Sequence, residues 1–288
     1  MKTNEIYMGD PFIYTHENTY YLIGTTNEME GFRAYKSGDL ENWTETGWIL
    51  RKNDTGFGSR CFWAPEIFIH QGKFYLTYSA FVESTQKLQM ALAVSESPTG
   101  PFHNLYAPWF TNDKGTIDGH IFKDDDGALY LYFSMNWFDP KTGINNGENY
   151  VSKLKKDLSG LDGEIRFVSR AEMDWETPMP NNRCNEGPTV IKHGNDYYMT
   201  YSANDTASDK YGIGYLKSKH PADGWEKVSI EPWLTTTDNL FSPGHNSIFK
   251  DLHGNLKIVF HSLAQRDKFE RIVNIRNLAI ENGRLSII

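Results

Sequence analysis

The chain has 288 residues, a formal charge of -8 and 39% hydrophobic residues, with no apolar run long enough to span a membrane. It carries no basic cluster to offset the excess of acid, which argues against nucleic acid and the membrane surface as partners and favours a neutral substrate. Its 16 Tyr, 17 Phe and 8 Trp, with 24 Gly and 12 Pro to supply turns, favour short β-strands over helices.

In chain order, the opening residues MKTNEIYMGDPF lack the apolar core of a secretory signal and run at once into patterned sequence. The expected location is therefore either cytoplasmic, or outside the cell after removal of a signal. The first patterned segment, DPFIYTHENTYYLIGTT from Asp10, reads as a strand, a polar turn and an aromatic strand. The same pattern returns as APEIFIHQGKFYLTYSA from Ala64, DGHIFKDDDGALYLYFS from Asp118, EGPTVIKHGNDYYMTYSA from Glu186 and HNSIFKDLHGNLKIVFHS from His245. Repeats at intervals of roughly 55 to 70 residues, each with room for about four strands, predict an all-β fold, a five-bladed β-propeller in which residues 1–288 form one domain.

Between the repeats, RAYKSGDLENWTETGWIL, LQMALAVSESPTGPFHNL and GIGYLKSKHPADGWEKV supply third and fourth strands. Trp43, Phe102 and Trp225 recur there at similar places, and packing between blades accounts for them. The segment DDDG at Asp124–Gly127 could open a calcium loop, but it lacks the remaining ligand positions. It falls where the sister repeats have plain hairpin turns, so a turn is expected. Residues Asn136 to Asn149 read as a long surface loop near the mouth of a site. The fifth repeat is complete within the C-terminal sequence, so the ring is expected to close without a strand borrowed from the N-terminus. Cys61 and Cys184 have no metal-ligand spacing and are expected to be free thiols.

The first strand of a propeller blade runs beside the central channel, so the repeat starts should form a ring: Asp10, Ala64, Asp118, Glu186 and His245. Three carboxyls and an imidazole at five equivalent places are costly, because like charges repel and burial disfavours ionisation. Water-binding polar groups in a wet channel would explain one such acid more easily than three. Each acid is followed at once by Pro or Gly (Asp10-Pro11, Asp118-Gly119, Glu186-Gly187-Pro188), residues that aim a side chain. Clustered carboxyls suit glycosidic bond hydrolysis, one donating a proton to the departing oxygen and another activating water or attacking the sugar.

The motifs GDPFI, FWAPEIF, TIDGHIFKDDDG, NEGPTV and GHNSIF, in this order and over essentially the whole chain, resemble glycoside hydrolase family 43. The resemblance implies a five-bladed propeller enzyme that inverts configuration and cleaves arabinofuranosyl or xylosyl linkages in plant polysaccharides or oligosaccharides. It implies Asp10 as general base, Glu186 as general acid and Asp118 as the residue that tunes that acid. It further implies Trp63 as a wall of the sugar pocket, for which core packing is the alternative, and Arg271 as the clamp on sugar hydroxyls, with Arg266 and Arg276 as alternatives. His245 matches a histidine that faces a divalent ion, usually calcium, through water; a hydrogen-bonded channel histidine is the other reading. No cofactor is implied for the chemistry itself. A carbohydrate-binding propeller without activity is the competing class, although such a module would tolerate amides in place of the acids. The sequence ends after the fifth repeat, which leaves exo or endo action open, and it leaves oligomeric state undetermined.

Overall fold

The structure is a computed structural model that describes residues 1–266 and 268–288. Five antiparallel sets of strands follow one another along the chain and form the blades of a five-bladed β-propeller. The first comprises β1 (Gly9–His16), β2 (Thr19–Thr25), β3 (Gly31–Ser37) and β4 (Thr44–Arg51). The second comprises β5 (Arg60–His70), β6 (Lys73–Val82), β7 (Lys87–Ser95) and β8 (His103–Tyr106). The third is β9 (Gly115–Lys123), β10 (Leu129–Asp139), β11 (Ile144–Leu154) and β12 (Arg166–Arg170). The fourth is β13 (Asn182–His193), β14 (Asp196–Ala203), β15 (Gly212–Ser218) and β16 (Glu226–Lys227). The fifth is β17 (Phe241–Lys250), β18 (Leu256–Gln265), β19 (Lys268–Glu281) and β20 (Arg284–Ile287). Among the described residues no helix is long and apolar enough to cross a membrane.

The cores lie between blades, where the aromatic second strands of one blade meet the outer strands of the next. Trp43 packs with Phe249, Val259 and Val273 of the fifth blade. Phe102 joins Tyr14, Ile23 and Phe32 of the first, and Trp225 packs against Tyr130 and Tyr132 of the third. These three recurrent aromatics are thus seam residues, as their repetition implies. The Asp124–Gly127 segment is a turn closed by Gly127 N–H to the Asp124 carbonyl at 2.9 Å. The Asp124 carboxylate is taken by Lys192 and the Tyr197 hydroxyl, each at 2.7 Å, so it clasps the fourth blade. Both cysteines are free. All four strands of the fifth blade come from C-terminal sequence. The N-terminal segment adds a bridge, Tyr7 to Ile272, the Met8 N–H bond to the Arg271 carbonyl at 2.9 Å, and the buried side chains of Ile6 and Met8 against Phe249, Val259 and Val273.

Two expectations are corrected. The stretch Asn136 to Asn149 is not a loop: β10 and β11 stay paired from Asn136–Gly147 to Asp139–Ile144, so it is a β-hairpin. Its returning strand also pairs in parallel with β13, Asn145 with Asn182 through Gly147 with Cys184, which joins the third and fourth blades in one eight-stranded sheet. The polar Asn-rich sequence conceals this strand because both edges of it are satisfied by backbone partners rather than by an apolar core.

The second correction concerns the ring. Every innermost strand carries a bulge opposite one residue of the second strand: Gly9 pairs with Thr25, Trp63 with Ser79, Ile117 with Ser134, Glu186 with Ser202 and Gly244 with His261. The next residue has positive φ each time: Asp10 51°, Ala64 47°, Asp118 60°, Gly187 60° and His245 45°. The equivalent of Asp10 in the fourth blade is therefore Gly187, and Glu186 stands one place earlier. The left-handed residue breaks the alternation of the strand, so neighbours such as Ile117 and Asp118 both line one cavity. The repeat starts predicted at positions 10, 64, 118, 186 and 245 thus fall inside strands, at these bulges.

Candidate active site

The five bulges surround one end of the channel, where a cavity of about 790 Å³ collects Asp10, Asp118, Glu186, His245, Trp63 and Arg271 from five blades. That volume is in the range of small-molecule sites. Arg271 is thereby separated from its sequence alternatives. Arg266 lies outside the cavity near Asp209, and the exposed Arg276 donates to the Ile275 carbonyl.

Asp10 is buried and surrounded by donors. Arg271 Nη1 reaches its Oδ1 at 2.9 Å and the Thr25 hydroxyl its Oδ2 at 2.5 Å. Burial opposes its ionisation, but the charges of Arg271 and His245 and the Thr25 bond outweigh that cost and hold it well below the usual carboxylate range. The backbone N–H of Asp10 donates to His261 Nδ1 at 3.1 Å, which makes that nitrogen the lone-pair side. The proton of a neutral His261 then lies on Nε2, 3.0 Å from the Thr206 hydroxyl. Burial and the Arg271 charge push His261 well below the ordinary imidazole value, in agreement with a neutral ring. The 3.5 Å approach of His261 Nδ1 to Asp10 Oδ1 is accordingly not an ion pair.

Glu186 has the opposite surroundings. Its Oε1 accepts the Tyr211 hydroxyl at 2.7 Å and its Oε2 the Cys184 thiol at 3.4 Å, and no cation bonds it directly among the described residues. Burial raises its pKa, and the Asp10 charge adds to this, against the opposing pull of His245 and the Tyr211 bond. Asp118 is raised to about 7, chiefly by burial and then by the charges of Glu186 and Asp10, although His245 and the Gly187 N–H at 3.0 Å favour its ionised form. Asp118 and Glu186 therefore titrate as a pair. Burial alone would lower the pKa of His245, but the charges of Asp10, Asp118 and Glu186 together outweigh it and raise it, and Nδ1 lies 3.4 Å from Asp10 Oδ1. With His245 and Arg271 charged, one proton retained on the Asp118–Glu186 pair makes the set of three carboxyls and two cations neutral.

Two glycines of the repeat motifs are there for space. A Cβ on Gly9 would lie 1.9 Å from Arg271 Cζ, and one on Gly244 would lie 1.8 Å from Tyr211 Cε1. Each leaves the backbone open to the side chain that contacts a carboxyl. Trp63, half-buried, directs its indole N–H to Glu28 at 2.9 Å and lines the cavity, rather than being only a core residue. Trp137 and the exposed Phe138, on the β10–β11 hairpin, extend the aromatic lining, and Lys114 sits 3.2 Å from the Trp137 ring centroid.

Sequence reading did not find Thr25, Tyr211, His261, Cys184 or the hairpin aromatics. For Thr25 and His261 a signal was present. They occupy the second-strand position shared with Ser79, Ser134 and Ser202, where a polar residue recurs in all five repeats. As for a divalent ion beside His245, the described residues contain no group of three or more His, Cys, Asp or Glu side chains able to hold one. Glu66 and His120 on the neighbouring inner strands satisfy each other at 2.7 Å. No step below depends on such an ion.

A propeller whose channel end presents one ionised carboxylate and a proton-retaining pair has the groups that acid and base chemistry needs. Comparison with known proteins makes the class specific. The model of the Glycosyl hydrolases family 43 matches residues 5–284, and the chain belongs to that family. It is 30% identical over 278 residues to an extracellular exo-alpha-(1->5)-L-arabinofuranosidase of Streptomyces avermitilis, covering 90% of this chain and 55% of that protein. It is similar to the crystal structure of a thermostable family-43 glycoside hydrolase, with TM-score 0.93, 37% identity and coverage of 100% and 96% of the two chains. A structure of an endo-1,4-beta-xylanase from Bacteroides thetaiotaomicron matches with TM-score 0.85, 33% identity and coverage of 98% and 94%. The chain spans about half the length, 55%, of the first curated relatives it matches.

Proposed function

We propose that the protein is an inverting glycoside hydrolase acting on arabinofuranosyl or xylosyl linkages of plant polysaccharides or their oligosaccharides. The observation that carries this is the division of protonation in one cavity: Asp10 is held ionised by Arg271 and Thr25, while burial and mutual repulsion keep one proton on the Asp118–Glu186 pair. Related proteins named arabinofuranosidase and xylosidase/arabinosidase support the sugar class. In this reading Asp10 takes a proton from water as it attacks the anomeric carbon, and Glu186 gives its proton to the departing oxygen. Asp118 adds a carboxyl to the site that keeps the acid protonated near neutrality and orients its strand through the Gly187 N–H. Arg271 holds Asp10 and reaches the cavity, where its remaining donors fit sugar hydroxyls.

The test uses leaving groups. General acid assistance is worth about 10²- to 10⁴-fold and is needed only where the departing oxygen is basic. Glu186→Ala should cripple hydrolysis of an arabino- or xylo-oligosaccharide yet largely spare a dinitrophenyl glycoside, whereas Asp10→Ala should lose most activity on both. Proton NMR of the first-formed sugar should show the inverted anomer. Retained configuration would refute the inverting mechanism, unchanged rates in both variants would show that Asp10 and Glu186 are not the acid and base, and only a failure to hydrolyse any glycoside would move the protein toward a carbohydrate-binding role.

A further inference from the structure

Glu186 is held by two donors of unequal strength. The phenol of Tyr211 is the stronger and occupies Oε1, and its ring lies stacked on His261 at 5.7 Å with only 7° between planes, so it is not free to turn aside. The thiol of Cys184 is the weaker and occupies Oε2 at 3.4 Å. Cys184 and Glu186 are two apart on β13, which puts both on the cavity side of that strand. Asn185, between them, is turned to the buried Glu176. The thiol is itself confined by Gly147, its partner in the parallel pairing of β11 with β13, where a Cβ would stand 2.4 Å from Sγ.

We propose that Cys184 is a positioning residue for Glu186, and that Oε2, the oxygen it holds, is the one that carries and transfers the proton. The inference rests on the reading of Glu186 as the general acid. A proton on Oε1 would have to coexist with the strong, fixed Tyr211 bond. A proton on Oε2 displaces only a weak S–H bond, and the thiol can rotate about its C–S bond to allow it. On transfer, the Oε2–H bond breaks, the departing sugar oxygen gains that proton together with the electrons of the broken glycosidic bond, and Cys184 turns its own hydrogen back to the carboxylate. Cys184 keeps its proton throughout; burial and the neighbouring Glu186 charge push its pKa well above the ordinary thiol value.

Substitution separates a hydrogen-bonding role from a space-filling one. Cys184→Ala removes a donor to the ionised form, so the pKa of Glu186 should rise by about half a unit. Cys184→Ser offers a stronger donor of similar size and should leave that pKa at or below the parent value. Asp10, Asp118, His245 and Tyr211, the other charged or titratable groups around Glu186, are unchanged in both. The pKa can be followed in the whole protein without turnover, through the infrared carbonyl band that disappears in Glu186→Gln. The alkaline limb of kcat/KM on an oligosaccharide should move in parallel. One pKa for all three proteins, or Ala and Ser moving together, would overturn the inference while leaving hydrolysis intact. A normal thiol-dependent titration with no hydrolysis of any glycoside would instead overturn the proposed function, and the proton-transfer assignment with it.

Discussion

Asp10 and Glu186 are both buried carboxyls, and the difference between them lies in their neighbours. Asp10 receives a guanidinium and a hydroxyl, whereas Glu186 receives a phenol and a thiol, neither of which carries charge. Desolvation is common to both, so the charge on Arg271 is the main attractive influence that separates them. Arg271→Gln should therefore let burial dominate at Asp10 and raise its pKa toward or above the ordinary value near 4. In the proposed mechanism Asp10 takes a proton from water and so must be ionised; on that reading the acidic limb of kcat/KM should move to higher pH, and a pH–rate profile of the two proteins would show it. An unmoved limb would mean that Arg271 acts only on substrate.

At the scale of elements, the site depends on a bulge repeated in each inner strand and on one extended hairpin. The bulge is a backbone device. Its positive-φ residue turns two consecutive side chains to the channel, and it tolerates Asp, Ala or His as well as Gly when the surrounding pairing enforces it. The hairpin brings Trp137 and Phe138 over the rim, and its parallel pairing with β13 ties that rim to the strand carrying Glu186. On the proposed function, an aromatic face at this place suits the apolar side of a sugar ring beyond the bond being cleaved. Trp137→Ala should raise KM for an oligosaccharide by about three- to tenfold, while changing KM for an aryl monosaccharide little. Equal effects on both substrates would place Trp137 against the sugar that is released.

For the molecule as a whole, the site is bought with stability. The ordinary pKa of Asp118 is 3.8 and the folded protein raises it to about 7, so between those values the native state binds more protons than the unfolded chain. Stability then falls as pH rises through this window, since the slope follows the excess of protons bound by the unfolded state, here negative. Asp118→Asn removes the contribution: calorimetry should find little difference from the parent near pH 4 and a gain of a few degrees in Tm near pH 8. The same variant should draw the alkaline limb of activity to lower pH, because the repulsion between Asp118 and Glu186 is removed. A variant less stable than the parent at pH 8 would show that the Asp118 bond to Gly187 outweighs the charge it places there.

What was legible in the sequence was whatever recurs. The five strand–turn–strand segments announce the blades because each must bury the same aromatic faces, and Trp43, Phe102 and Trp225 repeat because each seam needs a large side chain. Asp10, Asp118 and Glu186 stood out as acids at strand starts with no core to serve, and Arg271 was within reach as one of three arginines. The one-residue offset of Glu186 from the ring was concealed because Gly187 and Glu186 are adjacent, and only strand register tells which of them occupies the bulge. Tyr211, His261 and Cys184 were out of reach for a different reason. Cys184 shares β13 with Glu186 and Tyr211 stands just before β15 of the same blade, so both meet that acid only when the fourth blade has formed, while His261 on β18 meets Asp10 only after the ring has closed. Local pattern records which face of a strand is buried; which groups confront one another across the channel, and so which carboxyl keeps its proton, is decided by tertiary packing.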